Sequence, residues 1–86
     1  EMIFASASFY RKVGQFDKAA DFAERLRLRK PEDPHVHLFL ADIYMRLKNL
    51  KRAERMLEVA ERLDESEERN AKIRARLEEM KATASK

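Results

Sequence analysis

His35 and His37 stand two residues apart, and an imidazole pair is the first place to look for a bound metal or a proton relay. On a helix, however, two residues of turn separate them by about 200°, so they do not make the i,i+4 pair of helical zinc motifs. Each is expected near a helix start, on the surface or in a groove. Ser6, Ser8, Ser66 and Ser85 offer hydroxyls, yet no His and acid at a matching spacing could serve as base and orienting group. The absence of Cys removes thiolate zinc sites and disulfides alike. A single Gly excludes a dinucleotide fingerprint or a phosphate-cradling loop, both of which need several glycines for close backbone approach. The carboxylates alternate with Lys and Arg, as on solvated helix faces, where raised pKa values are not expected. These residues predict no enzyme, no cofactor and no metal site.

Charge points to binding. Nineteen basic residues face sixteen acidic ones, for a net charge of +3. Residues 1–30 carry seven basic and four acidic groups, whereas 31–64 carry six and seven, and 65–86 six and five. The dense basic stretch is Arg25, Arg27, Arg29 and Lys30. It lacks the interleaved stacking aromatics of a nucleic-acid footprint, so nucleic acid is disfavoured as a partner. The longest apolar runs, Met2 to Ala5 and Leu38 to Ala41, fall far short of the roughly 18 residues that span a membrane. A soluble module is expected, with no compartment assigned.

The elements that must carry any binding surface are helical. Twelve Ala and nine Leu stand against three Val, three Ile and one Thr, with one Gly and two Pro, a turn-poor inventory that suits an all-α chain. A shift of 34 residues lays Tyr10 on Tyr44, Ala19 on Ala53, Glu24 on Glu58 and Ala7 on Ala41. Val13 then meets Leu47, Phe16 meets Leu50, Phe22 meets Met56, and Lys12 and Lys18 meet Arg46 and Arg52. Apolar and charged classes repeating together indicate a duplicated helical hairpin. Within each copy the helical period is interrupted once, at Gly14 or at Lys48-Asn49. Asp33 before Pro34 is an N-cap followed by proline at the first helical position, and Ser66 before Glu67 and Glu68 opens a further helix. The predicted helices are 2–13, 16–29, 34–47, 50–63 and 67–82. Ile3, Ala7, Tyr10 and Val13 form the buried face of the first, and Leu40, Ala41, Tyr44 and Leu47 that of the third.

This pattern resembles the tetratricopeptide repeat. Ala7, Tyr10, Gly14, Phe16, Ala19 and Pro31 stand where the family favours small, aromatic, Gly, aromatic, Ala and Pro, and Ala41, Tyr44, Leu50, Ala53 and Ala60 follow in the second unit. Ile3 and His37 depart from an early aromatic, Lys48 from the turn Gly, Leu26 from a late small residue and Glu65 from the terminal Pro. The resemblance implies antiparallel helix-turn-helix repeats stacked as a short right-handed α-solenoid of five helices. One domain over 1–86 is expected: repeat 1 near 1–33, repeat 2 near 34–66, a capping helix near 67–82 and a frayed tail at 83–86. The apolar, uncapped opening suggests a piece of a longer protein. Tyr10 and Tyr44 are expected to fill space with their hydroxyls toward water.

In this family the first helices of the repeats line a concave groove. The resemblance therefore implies Phe4, Ser8, Arg11 and Lys12 from unit one and Leu38, Phe39, Asp42, Met45 and Arg46 from unit two as partner-binding residues. Arg69, Lys72, Ile73 and Arg76 complete that wall if the fifth helix continues the array. Such a mixed apolar and basic groove suits an amphipathic helix or extended peptide of another protein, with acidic groups meeting the arginines and apolar side chains entering between Phe4, Leu38 and Met45. The clamp by which some relatives hold chaperone C-termini is not matched, because Phe4, Ser8 and Phe39 occupy its polar positions. Two alternatives stand beside this one. RNA binding by a pentatricopeptide-like array is opposed by the 34-residue period and by Phe4, Leu38 and Phe39 where base-reading polar groups are wanted. Self-association through Ile73, Leu77 and Met80 is the other, since these residues with Asn70 and Ala84 give the last helix a short apolar seam.

Overall fold

The computed structural model describes residues 2–84 and contains five helices: α1 Met2–Lys12, α2 Phe16–Arg29, α3 Pro34–Arg46, α4 Leu50–Leu63 and α5 Glu68–Ala84. Ser85 lies outside the described residues, as does the last part of the expected tail, whereas Thr83 and Ala84 continue α5.

The helix α1 ends where Gly14 takes φ 84°, with Gly14 N–H donating to Arg11 O at 3.2 Å and Gln15 N–H to Tyr10 O at 2.8 Å. The same two bonds recur 34 residues on, from Lys48 to Met45 O at 3.0 Å and from Asn49 to Tyr44 O at 2.9 Å, with Lys48 at φ 63°. This is the Schellman stop, which closes orphan carbonyls only if one residue enters left-handed space. The hairpin is thus built twice with the same backbone although glycine is present only once. These stops place Val13 and Leu47, expected as the last residues of their helices, in the turns one residue beyond the observed ends at Lys12 and Arg46, and Val13 is left exposed.

At the start of α3, Asp33 Oδ1 accepts from His35 N–H at 2.9 Å, and Pro34 needs no partner for its nitrogen. Asn49 caps α4 by accepting from Arg52 N–H at 3.3 Å. Ser66 does not cap the last helix as expected. Its hydroxyl donates to Asp64 Oδ1 at 2.8 Å, and Glu67 Oε1 instead accepts from Arg69 N–H at 3.2 Å, so α5 begins at Glu68.

The hairpins α1–α2 and α3–α4 pack side by side through α2 and α3, and α5 lies on α4 and α3. Ala7, Ala19, Ala23, Ala41, Ala53 and Ala60 are fully buried, which lets helix axes approach within about 8–10 Å while Leu40, Ile43, Leu57 and Leu77 fill the space between. The face predicted for α3 is buried, with Leu47 only partly so. Val36, His37, Leu38, Asp42, Ile43 and Met45 are buried too, because α3 has neighbours on both sides. His37 is accordingly not a surface residue: its ring Nδ1 is 3.0 Å from Asp33 O.

Candidate docking groove

The helices α1, α3 and α5 stand in a row, and side chains cross each gap. Phe4 and Phe39 bring their ring centres to 5.5 Å, and the Arg11 guanidinium lies 5.5 Å from the Phe39 centroid. Arg11 Nε donates to Asp42 Oδ2 at 2.7 Å, and Arg76 Nη1 approaches Asp42 Oδ1 at 3.5 Å. Between the three helices opens a hollow of about 380 Å³, lined by Arg11, Leu38, Phe39, Asp42, Arg69, Lys72, Ile73 and Arg76. These residues come from positions 11 to 76, so the hollow exists only when all three helices are in place.

The other predicted groove residues lie to its sides. Phe4 is half-exposed and borders a hollow of about 280 Å³ with Leu26, Lys30, His35 and Val36. Met45 and Arg46 border another of about 260 Å³ with Lys48, Arg76 and Met80, and Asp42 is shared between this one and the central hollow. Ser8 is half-buried and Lys12 exposed, and neither lines the central hollow. The apolar entry expected between Phe4, Leu38 and Met45 is corrected: Leu38 and Met45 are buried, so they support the groove from beneath, and its reachable apolar surface is Phe39, Ile73 and Phe4.

Asp42 forms the electrostatic centre. Its side chain is only 8 % exposed, and Arg46 Nε joins Arg11 and Arg76 around it at 3.7 Å. Burying a carboxylate is tolerated only when charge and hydrogen bonds replace water, and guanidiniums from two other helices do so here. Reading the chain placed Asp42 on the wall but not at this hub. The available signal was that it is the one acidic residue in the groove set, with Arg46 at i+4.

The last helix is held by charge as much as by burial. Arg74 straddles Glu61, with Nη2 to Oε1 at 2.7 Å and Nε to Oε2 at 3.3 Å, and reaches Glu54 at 3.3 Å and Glu78 at 3.4 Å. Lys81 Nζ donates to Glu54 Oε1 at 2.7 Å. The Lys81 hydrogen bond holds the Glu54 carboxyl below its usual value of 4.5, and Glu54 in turn raises the Lys81 ammonium above 10.5. Glu61 raises the Arg74 guanidinium further still. Leu77 is fully buried, with Ile73 and Met80 against the core, so the seam considered for self-association is occupied within the chain; Ala84 is exposed.

A second polar crossing joins α2 to α3. The Tyr44 hydroxyl does not reach water as expected but donates to Glu24, whose other oxygen accepts from Arg27 at 2.6 Å. Burial, then the Glu24 bond, raises the Tyr44 phenol above 10.0. Tyr10, its repeat mate, stacks on Phe22 at 5.7 Å and stays half-exposed. Among the described residues no cluster of His, Asp and Glu could hold a metal ion, and no helix is long and apolar enough to cross a membrane.

A family model described as tetratricopeptide repeat matches residues 10–77 of the chain. Neither a curated protein nor a solved structure matches the chain significantly.

Proposed function

The chain belongs to the tetratricopeptide repeat family, whose repeats generally mediate protein–protein interactions, and from that premise we propose that the hollow between α1, α3 and α5 docks a short segment of another protein without performing chemistry on it. The observation that carries this reading is the composition of the hollow. Phe39 and Ile73 offer apolar surface beside the cations of Arg11, Lys72 and Arg76. An amphipathic helix or extended peptide with acidic groups on its apolar edge satisfies both, the apolar contact supplying affinity and the charges supplying register and encounter rate.

Lys72 is exposed, so Lys72→Glu tests the surface with little disturbance of the fold. Panning a random peptide library on the wild-type chain should enrich acidic, apolar sequences whose binding falls about tenfold on Lys72→Glu. Lys51→Glu on the exposed side of α4 should leave that binding unchanged. Equal loss in both variants, or in neither, overturns the assignment of the groove.

A further inference from the structure

The charge around Asp42 narrows what the docked segment carries. Asp42 sits at the divide between the central hollow and its neighbour, and three arginines converge on it unequally. Arg11 Nε donates at 2.7 Å, whereas Arg76 Nη1 stands at 3.5 Å and Arg46 Nε at 3.7 Å. The first is a full hydrogen bond. The other two guanidiniums are drawn in by charge and keep most of their N–H groups for another acceptor. Three guanidiniums against one carboxylate leave two positive charges in excess. Lys72, one turn before Arg76 on α5 and lining the same hollow, adds a third, and it has no partner among the described residues. The cations in excess of the Asp42 carboxylate repel one another until a further anion sits among them.

We propose that this cluster receives a phosphorylated serine or threonine of the partner, an inference that rests on the groove being the docking surface. A carboxylate brings a single negative charge. A phosphate monoester brings about 1.5–2 charges and three acceptor oxygens at neutral pH, which answers the excess more completely. The arrangement also suits the shape of the group: planar forks from Arg11 and Arg76 can donate to it from two directions, Lys72 closes a third, and Asp42 keeps the forks side by side from beneath. The Phe39 ring under the Arg11 guanidinium holds that fork at the wall of the hollow. Phe39 and Ile73 then meet the apolar residues that flank the phosphorylated position.

Two measurements on the full chain test this. Inorganic phosphate, titrated at constant ionic strength, should move the Nε–Hε signals of Arg11 and Arg76 saturably and at lower concentration than acetate does. Peptide libraries with phosphoserine, glutamate or serine at one central position and random flanks should be retained in that order, phosphoserine about tenfold above glutamate. Arg76→Lys keeps the charge but removes the fork, and should reduce the phosphoserine preference while glutamate peptides are still held. Unsaturable shifts spread over every arginine overturn the phosphate site. Equal retention of glutamate and phosphoserine libraries overturns it as well and leaves the groove standing, whereas retention of neither library overturns both.

Discussion

Asp42 is the residue on which most of the groove depends, since its buried carboxylate is what keeps Arg11, Arg46 and Arg76 together. Asp42→Ala should cost about 1–2 kcal/mol in denaturant unfolding, a modest loss because the three freed arginines are partly exposed and regain water. Tyr44 makes a separate contribution. Its raised phenol pKa means that the folded chain holds the proton more tightly than the unfolded chain does. The resulting stability is therefore present below pH 10.0 and lost as pH rises through the higher folded value. Tyr44→Phe should lower stability by about 1 kcal/mol at neutral pH and flatten the alkaline limb of the stability profile. A mutant whose alkaline limb matches the wild type would show that the Tyr44 phenol does not shape that limb. Neither partner was legible in the chain, because Arg11 and Asp42, or Glu24 and Tyr44, are brought together only by one helix packing on another.

At the scale of elements, the two hairpin turns form a built-in comparison. Gly14 and Lys48 hold the same left-handed position in the same stop, and a Cβ at Gly14 would meet nothing within 4 Å. Backbone strain alone separates them. Gly14→Ala should destabilise by about 1 kcal/mol, and Lys48→Gly should stabilise by a similar amount, both read from denaturant midpoints. Turn position and helix type were legible from the 34-residue period and from Asp33-Pro34. The opening of α5 was not, since Ser66, Glu67 and Glu68 all resemble helix starts and the carboxylate of Asp64 decides between them by taking the Ser66 hydroxyl. The clasp on α5 predicts acid sensitivity there. Glu54 is held below 4.5 by Lys81 and Glu67 by Arg69, so their contribution is present above pH 4.5 and fades as pH falls through the lower folded values. Hydrogen exchange in α5 should accelerate below that pH and in high salt before the other helices respond, and Arg74→Ala should produce the same pattern at neutral pH.

Over the whole molecule, equal sequence positions have unequal environments. Met2 is 86 % exposed and Phe9 58 %, while their repeat mates Val36 and Ile43 are 5 % and 0 % exposed, because the α1–α2 hairpin covers α3 and no described element covers the same face of α1. Phe9→Asp should therefore change stability by no more than about 0.5 kcal/mol, whereas Ile43→Asp should cost above 4 kcal/mol and leave the chain largely unfolded by circular dichroism. The helices expected along the groove wall followed from the family resemblance, whereas local pattern alone determined that the chain is helical, that it is a repeated hairpin and where its turns fall. These depend on spacing and on backbone preferences that act within a few residues. Tertiary packing decided that α3 is buried nearly all round, that Leu38 and Met45 form the covered floor of the hollows rather than their open sides, that Leu77 faces inward, and that three arginines meet on Asp42. Burial and ion pairing depend on which surface arrives from elsewhere in the chain, and a helical period records only that one face prefers to be covered.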